Sequence, residues 1–464
     1  MTEAGPSAPR KLQGYEFFEK VLGNPKYIVA PMVDQSELAW RRLSRKYGAQ
    51  LVYTPMIHAK MFAEGARKPY RNEAFNIPER EEGGAGDRPL IVQFCANDPD
   101  WLLKAAKIVE PHCDAVDINL GCPQDIARRG RYGSFLQDEW DLIYKMINNL
   151  HNNLSIPVTA KFRVFPTVEK TVQYAQMLER AGAQILTCHG RTREQRGHHS
   201  GLADWQKIRA VKESVSVPVI ANGNLLFYSD IDTCLAATGA DAVMSAEGNL
   251  YNPAIFTSAT DAALYTPEDS SAPANWAITS DTGLHLPHTT LALEYLEIVN
   301  TLETRTSPSA VKGHLFKLLR PAMARETDLR EQLGRVRFQK GKEKEAYAKY
   351  EEIVKQMDER MRRDARAAEG RPVEELITID PVSGVKVLPH WVAQPYTRPL
   401  LDVDGKKLNK LDVAQVANVI DPTDCETEAC GAKRSVSERT PEPEVNPKRA
   451  KLAEDNVNPI PLSA

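Results

Sequence analysis

A repeated alternation of short apolar runs and longer amphipathic stretches fills residues 27–256 and constrains the fold of this chain more than any other feature. The apolar runs predict buried strands, and the stretches between them predict helices. Eight such units in about 230 residues predict an α/β fold in which parallel strands and crossover helices close into a (β/α)8 TIM barrel. The predicted strands are residues 27–32, 49–54, 89–94, 114–120, 157–162, 183–190, 217–223 and 240–246.

A doubly wound open sheet is the alternative fold for such an alternation. That fold binds dinucleotides at a Gly-x-Gly-x-x-Gly turn directly after its first strand. No turn of this kind follows residues 27–32. We therefore prefer the closed barrel, and the sequence offers no fingerprint for a dinucleotide site.

The composition changes after the C-terminal end of the predicted barrel. A stretch rich in Pro, Ser and Thr follows it, then a segment with helical periodicity and dense charge, and finally a tail rich in Glu, Pro and Ser. We expect an N-terminal extension at 1–26, the barrel at 27–262, a linker at 263–289, a helical domain at 290–371, a C-terminal extension at 372–420 and a disordered tail at 421–464.

Charge is distributed unevenly, although the whole chain has a formal net charge of only −3. Residues 312–371 contain 17 Lys and Arg against 11 Asp and Glu, a surplus of 6 (17 − 11). A run of this kind is either a solvated helix face or a surface for a polyanion. The small basic cluster at 446–452 is either a chance grouping or a nuclear import signal.

The cysteine pattern and the hydropathy bear on the compartment. Seven cysteines form no Cys-x-x-Cys pair, and no apolar run approaches the length of about 18 residues that spans a bilayer. The N-terminus has no secretory apolar core. We expect a reduced, cytoplasmic and/or nuclear protein that binds no membrane and no metal, and we favour a monomer.

Polar residues stand at the C-terminal ends of most predicted strands, where barrels of this kind place their chemistry. Taken singly, each has a structural explanation, because Asn and Gln often cap loops and a lone His is usually a packed core or surface residue. Together they are too many to be caps, and an ammonium inside the strand at 157–162 is costly without a partner. The set is Gln93, Asn119, Lys161, Arg163, His189, Arg191, Asn222, Gly223 and Asn224.

The stretch "DINLGCPQ" places Cys122 at the exit of a predicted strand, between Gly121 and Pro123. A structural cysteine normally sits within an apolar run, where it packs as a small hydrophobe. A rigid turn at the mouth of a barrel is instead a position from which a thiol can act on a ligand. A buried turn cysteine is the structural alternative.

The chemistry of this set suits a phosphorylated ring. An amide from Gln93 can both donate to and accept from a ring edge, and the cation of Lys161 would stabilise an anionic ring. Glycine-containing turns after the seventh and eighth strands are the usual phosphate site of such barrels. These residues indicate flavin mononucleotide (FMN) or another phosphorylated ring.

Several motifs in order and spacing resemble the tRNA-dihydrouridine synthases, and most closely the eukaryotic branch that acts on D-loop positions 16 and 17. They are "APMVDQSELAWRRL", "VQFCANDP", "DAVDINLGCPQ", "VTAKFRVF", "LTCHGRTREQ", "VIANGNL" and "DAVMSAEG". The resemblance implies a (β/α)8 barrel with a C-terminal helical domain. It also implies reduction of the uracil C5=C6 bond in tRNA, with FMN as cofactor and NADPH or NADH as reductant.

The resemblance also implies roles for individual residues. Cys122 would be the proton donor, and the FMN contacts would be Pro31, Met32, Val33, Gln93, Lys161, His189, Asn222, Gly223, Asn224, Ala246 and Glu247. Bacterial members usually have Gly-Arg where this chain has Ala246-Glu247, so we expect Glu247 to contribute through its backbone.

For the substrate, we expect Asn119 to bind the uracil edge and Arg163 or His189 to stabilise negative charge. A stacked uridine must be flipped out to reach a barrel mouth, so the protein has to grip the tRNA backbone. Arg191, with its neighbours Arg193 and Arg196, and the basic helices are the candidates. Two other functions stay open: an FMN barrel acting on a free pyrimidine or enone, and a non-catalytic RNA-binding scaffold.

Overall fold

The computed structural model describes residues 10–197, 200–266, 269–339, 341–381 and 383–396. Its centre is a set of eight parallel strands in which every neighbour along the chain is also a neighbour in the sheet. They are β1 (Tyr27–Val29), β2 (Leu51–Tyr53), β3 (Leu90–Cys95), β4 (Ala115–Leu120), β5 (Val158–Arg163), β6 (Leu186–His189), β7 (Val219–Asn222) and β8 (Ala242–Ser245).

The sheet is closed. Strand β8 pairs with β1 through Tyr27 and Val243, and β2 pairs with both β1 and β3. The predicted (β/α)8 barrel is therefore confirmed, and each observed strand lies within or beside its predicted run. A further two-residue strand, Ile57–His58, extends the sheet along the end of β3.

Alternate residues of each strand face the inside of the barrel, because side chains of a strand point to opposite faces in turn. The lower interior is apolar, and the short helix Gly14–Lys20 closes it from below with Phe17 and Phe18. The upper interior is polar and opens at the C-terminal ends of the strands. Because the lower interior is filled with apolar side chains, polar ligands can bind only at the C-terminal ends of the strands.

The helices surround the barrel and continue into a C-terminal bundle. They are Gly14–Lys20, Leu38–Lys46, Ala59–Ala63, Lys68–Ala74, Pro99–Val109, Asp125–Gly130, Trp140–Asn153, Val168–Ala181, Trp205–Ser214, Ser229–Thr238, Glu247–Tyr251, Ala262–Tyr265, His288–Thr301, Pro308–Leu318, Arg320–Met323, Thr327–Arg335, Glu343–Ala367 and Val373–Leu376. Single 3-10 turns lie at Gly65–Arg67, Glu110–His112 and Gly133–Leu136.

The C-terminal bundle rests on one side of the barrel mouth. Its first helix, His288–Thr301, packs against Leu38–Lys46, and Pro308–Leu318 packs against Glu247–Tyr251. These barrel helices follow β1 and β8, which are adjacent in the closed sheet. The bundle therefore covers the β1 and β8 corner of the mouth.

Residues 263–289, which we expected to be a linker, contain an antiparallel hairpin of Ile278–Ser280 and Gly283–His285. Trp276 and Leu286 in this segment are buried against the bundle. Apolar side chains spaced among Pro, Ser and Thr explain the difference, because they gain burial only once the bundle is assembled.

The segment 388–396 packs back onto this hairpin. The backbone N–H of Ala393 donates to Leu286 O, and the indole of Trp391 donates to Asn275 O. A second small hairpin joins Thr378–Ile379 to Lys386–Val387. The predicted tail at 421–464 and the basic cluster at 446–452 lie outside the described residues. No helix in the described ranges is long and apolar enough to cross a membrane.

Candidate active site

The register of the barrel brings the predicted polar residues into adjacent rows. Gln93 pairs with Asp117, and Asn119 pairs with Lys161. One step higher, His189 pairs with both Arg163 and Asn222. Five strands therefore contribute to one polar surface at the mouth, as the sequence predicted.

Gln93 is fully buried and its amide is hydrogen-bonded within the protein. Its Nε2 donates to Asp117 Oδ2 at 2.8 Å, and its Oε1 accepts from Asn119 Nδ2 at 2.8 Å. Thr159 Oγ1 donates to the other oxygen of Asp117 at 2.6 Å. Burial raises the pKa of Asp117 to about 6, against hydrogen bonds that lower it.

Asn119 fixes the turn that carries the thiol. Its Oδ1 accepts from the backbone N–H of Cys122 at 2.9 Å and of Gly121 at 3.2 Å. Both lone pairs of this oxygen are then used, and one N–H of the amide is already given to Gln93. One N–H of the Asn119 amide is therefore left to donate to a ligand.

The carbonyl of Cys122 is held from the other side. Ser134 donates to it through both its backbone N–H, at 3.1 Å, and its hydroxyl, at 3.0 Å. Gly133 has φ +64°, and a Cβ there would lie 2.7 Å from the same carbonyl oxygen. Only glycine fits this approach without strain.

The thiol of Cys122 is only partly exposed. Burial raises its pKa, and the nearby charges of Arg163 and Lys161 act in the opposite direction. Since an ordinary thiol has a pKa of about 8.5, the Cys122 thiol is protonated at neutral pH. It can donate a proton.

Arg163 ties two loops together at the mouth. Its Nε donates to Gly121 O at 2.9 Å, while one terminal nitrogen donates to Thr192 O and Gln195 O at 2.8 and 3.0 Å. Burial and repulsion from Arg191 lower the pKa of Arg163 to about 10. The loop after β6 is therefore attached to the turn that carries Cys122.

Lys161 supplies a cation to the mouth. Its Nζ donates to Asn222 Oδ1 at 2.9 Å, and Asn222 Nδ2 donates onward to Met244 O at 2.8 Å. Burial and repulsion from Arg163 lower the pKa of Lys161 to about 8, while Asp117 raises it. No carboxylate of the described residues lies within ion-pair distance of this ammonium.

These residues fit the FMN that the sequence implied. A partly buried ammonium without an anion at contact distance is unfavourable, so a ligand with an anionic or carbonyl group would stabilise it. Asn222 orients the ammonium, and the neutral ring of His189 lies next to Asn222 in the sheet. Lys161, Asn222 and His189 are the side chains that would hold the ring.

His189 is neutral at physiological pH. Burial, reinforced by the charge of Lys161 and Arg163, lowers its pKa well below the ordinary value. A terminal nitrogen of Arg191 lies 3.1 Å from His189 Nε2, which must therefore be the unprotonated ring nitrogen. The imidazole can act as a dipole in the mouth without carrying charge.

The backbone of the turn after β7 lies very close to Ala203. Gly223 has φ +117°, and a Cβ there would meet Ala203 Cβ at 2.6 Å. Asn224 has φ +63°, and its side chain bonds to the backbone N–H and carbonyl of Ala203. Arg191 also donates to Asn224 Oδ1, at 3.0 Å.

The predicted residues after β1 and β8 occupy the corner under the bundle. Met32 and Ala246 pack against the apolar interior of the barrel. Val33 is 55% exposed, so its side chain has no contact comparable to that of Met32. Pro31 directly precedes Met32 and Val33 in the loop after β1. Whether each contacts FMN stays a prediction.

The bundle also contributes a cation to this corner. Lys317 Nζ donates to Gln35 Oε1 at 2.6 Å. Burial lowers the pKa of Lys317, and the carboxylates of Glu247 and Glu37 oppose that effect. Glu247, one of the predicted FMN contacts, therefore lies close enough to Lys317 to affect the pKa of that lysine.

Comparison with known proteins identifies the family. A sequence model for "Dihydrouridine synthase (Dus)" matches residues 28–357, which is well over half of the chain. The chain belongs to the dihydrouridine synthase family. The resemblance read from the sequence motifs is therefore confirmed, and the Dus match includes both the barrel and most of the helical bundle.

Curated Dus relatives are similar over most of their length. The tRNA-dihydrouridine(16/17) synthase [NAD(P)(+)] of Saccharomyces cerevisiae is 44% identical over 415 residues, covering 88% of this chain and 91% of the relative. The Schizosaccharomyces pombe protein of the same name is 44% identical over 404 residues, with 85% and 92% covered. A "-like" protein of that name from Rattus norvegicus is 47% identical over 393 residues, with 84% and 78% covered.

Asp117 belongs to the polar cluster at the barrel mouth and was missed by the sequence analysis. It stands inside the apolar run 114–120, and an acidic side chain on the inward face of a barrel strand was the available signal. Tyr132 was also missed. Tyr132 and Cys95 form an electrostatic cluster with Cys122, and burial raises the pKa of both Tyr132 and Cys95. An alternation pattern alone does not show which inward residues meet.

Proposed function

We propose that this protein reduces the C5=C6 bond of uracil at D-loop positions 16 and 17 of tRNA, with FMN as cofactor and NADPH or NADH as reductant. The observation that carries the proposal is the protonated thiol of Cys122, fixed at the barrel mouth beside the charges of Lys161 and Arg163. Names of relatives similar over nearly their whole length support the uridine positions and the NAD(P) dependence.

FMN held by Lys161, Asn222 and His189 would supply the hydride for C6 of the base. Cys122 then gives its proton to C5, and the new C–H bond takes up the charge left on the ring. A protonated thiol is required for this step, which agrees with the raised pKa of Cys122. Asn119 and Ser134 hold the backbone of Cys122 in place from two sides.

Lys161 would hold the cofactor ring and supply a positive charge next to it, and Asn222 orients the ammonium. His189 contributes as a neutral dipole. Asn119 donates its remaining N–H to a carbonyl oxygen of uracil. Arg163 acts through the protein, because three backbone carbonyls already accept from its guanidinium.

The tRNA backbone has to be gripped outside the mouth. Four exposed cations of the bundle have neither a carboxylate within ion-pair distance nor a side-chain hydrogen bond or ring contact among the described residues: Arg330, Arg337, Lys344 and Lys349. Other cations of the basic segment, such as Arg360 and Arg362, are paired with Asp or Glu. We assign phosphate contacts to the unpaired set.

The expected cytoplasmic and/or nuclear location and the monomeric state stay predictions, and the basic cluster at 446–452 remains a candidate import signal outside the described residues. Arg191, Arg193 and Arg196 stay candidates for the tRNA contact. Each already donates to protein acceptors, so a phosphate would have to compete with them.

The proposed function is tested anaerobically. The protein is reduced with NADPH, unmodified tRNA or free uridine is added, and flavin reoxidation is followed. We expect fast reoxidation by tRNA only, and a slowing of at least about 100-fold in Cys122→Ala, the usual contribution of a positioned general acid. The matched control is Cys234→Ala, which removes a buried thiol from an outer helix.

Equal reoxidation by free uridine would replace the tRNA assignment with an oxidoreductase acting on free pyrimidines. An unimpaired Cys122→Ala variant would remove the thiol from the mechanism. A protein that purifies without flavin and cannot be loaded with FMN would overturn the cofactor assignment.

A further inference from the structure

A continuous chain of side-chain hydrogen bonds runs from the barrel interior to the backbone of Cys122. It starts at Thr159 and Asp117, passes through Gln93 and Asn119, and ends at the N–H groups of the Cys122 turn. Its links between side chains are 2.6, 2.8 and 2.8 Å long. All four side chains are buried.

The turn dictates which way the first amide points. Backbone N–H groups can only donate, so the Asn119 atom that faces Gly121 and Cys122 must be the oxygen. The NH2 group of Asn119 is then left to face Gln93, which must present its own oxygen. This in turn aims the NH2 group of Gln93 downward.

The other end of the chain requires the same direction. An ionised carboxylate only accepts, so Asp117 requires the NH2 group of Gln93 to face it. With the opposite orientation, Gln93 would place its oxygen against the carboxylate. Two amides that could otherwise rotate by 180° are therefore fixed in one orientation by a donor pair at one end and an acceptor at the other.

We propose that Asp117 is a positioning residue for Cys122: its carboxylate sets the direction of the hydrogen-bond chain through Gln93 and Asn119 that holds the backbone of the thiol-bearing turn. The inference deepens the proposed function and rests on it where the role of the thiol is concerned. The geometry of the chain itself is independent of any substrate.

The first test compares two substitutions of Asp117. Asp117→Asn still offers an oxygen to Gln93 and can turn its NH2 group to Thr159, so the chain survives. Asp117→Val has a similar size but offers no acceptor, so the NH2 group of Gln93 is left unpaired and the amides lose their fixed orientation. Thr159→Val is the matched control, because it removes the other partner of Asp117 and leaves the amides untouched.

The readouts are hydrogen–deuterium exchange of the peptide containing Gly121 and Cys122, and the two flavin half-reactions. For Asp117→Val we expect exchange in this turn about tenfold faster, reduction by NADPH within about threefold of the parent, and reoxidation by tRNA slowed about tenfold or more. For Asp117→Asn and Thr159→Val we expect all three within about threefold. Equal behaviour of Val and Asn would overturn the proposal.

A second test reverses the direction of the hydrogen bonds through Gln93 and Asn119, and it applies even if Asp117→Val fails to fold. Asn119→Asp still accepts from the turn but puts an oxygen against Gln93, which must rotate and present its own oxygen to Asp117. Adding Asp117→Asn restores a donor there. Every link is then satisfied in the opposite direction, from Asn at 117 to Asp at 119.

We therefore expect Asn119→Asp to lower the unfolding temperature by several degrees in the parent, and by less than about 1 °C in the Asp117→Asn background. Equal losses in both backgrounds would overturn the proposal. Exchange and thermal unfolding need no substrate, so a parent enzyme that tRNA fails to reoxidise would contradict the proposed function while leaving this result standing.

Discussion

The imidazole of His314 lies flat on the indole of Trp40, with the ring centroids 3.9 Å apart and an interplanar angle of 7°. This stack joins the C-terminal bundle to the helix that follows β1. His314 Nε2 is also 3.1 Å from Glu37 Oε2, and Tyr295 donates to the other oxygen of Glu37 at 2.8 Å. The bundle is thus fastened to the barrel by a buried polar and aromatic contact beside the Pro31-Met32 loop.

Replacing His314 with Ala should destabilise the protein by about 2–4 kcal/mol, because it opens a cavity beside Trp40 and removes a hydrogen-bond partner of Glu37. Thermal unfolding measures the loss. Arg330→Ala, an exposed change on the same bundle, should stay within about 0.5 kcal/mol. A loss in His314→Ala no larger than in this control would show that the stack contributes nothing.

Gly133→Ala should damage the thiol-bearing turn. The added Cβ would lie 2.7 Å from Cys122 O, and φ +64° is unfavourable for alanine. We expect about 1–3 kcal/mol of destabilisation and slower reoxidation by tRNA, with reduction by NADPH retained. Gly65→Ala is the control, since no atom lies within 4 Å of the Cβ position there. Normal reoxidation in Gly133→Ala would contradict the close contact.

Arg196 donates to Pro123 O at 2.9 Å, and Arg193 contacts Asp138 at 3.0 Å. Arg196 therefore braces the loop after Cys122, in addition to its candidate role toward tRNA. If bracing dominates, Arg196→Gln should speed hydrogen exchange in residues 121–125 even without tRNA. If phosphate binding dominates, exchange should be unchanged and the salt dependence of tRNA binding should fall by about one counterion.

Asp117→Asn should stabilise the fold at high pH. Burial raises the folded-state pKa of Asp117 to about 6, above the unfolded value of about 3.9. The native state therefore holds a proton between pH 4 and 6 that the unfolded state releases, so ionised Asp117 costs up to about 3 kcal/mol above this window. Attraction to the positive charge of Lys161 lowers the pKa of Asp117 and so offsets part of this cost.

We expect Asp117→Asn to raise the unfolding temperature at pH 8, and the difference from the parent to disappear as the pH falls to about 4. Thermal unfolding at both pH values checks this. A stabilisation that grows toward pH 4 would have the wrong sign and would contradict the raised pKa.

Neutralising Arg330, Arg337, Lys344 and Lys349 together, each to Gln, should weaken tRNA binding and flatten its salt dependence by up to about four counterions. Binding is measured as a function of KCl concentration. Lys355→Gln is the control, because Lys355 is already paired with Glu351 at 2.7 Å. An unchanged slope in the fourfold variant would move the tRNA contact elsewhere.

Much of this architecture follows from local sequence pattern. Eight apolar runs separated by amphipathic stretches leave few arrangements other than a closed barrel, because parallel strands need crossover helices. The position of Cys122 between Gly121 and Pro123 placed the thiol at a strand exit, and the structure has it there. The family motifs around these strands identified the Dus family, which the match over 28–357 confirms.

The sequence by itself determined the barrel, its family and the polar set at the strand ends, because strand periodicity and turn residues act over short distances along the chain. Only the tertiary structure decided what those polar groups bind. Arg196 contacts Pro123, which is 73 residues away in the sequence, and Gln93 contacts Asp117, which is 24 residues away. Apolar side chains of the segment 263–289 are buried only by packing against the bundle. Hydrogen-bond direction and burial depend on which groups meet in space, and strand register sets that.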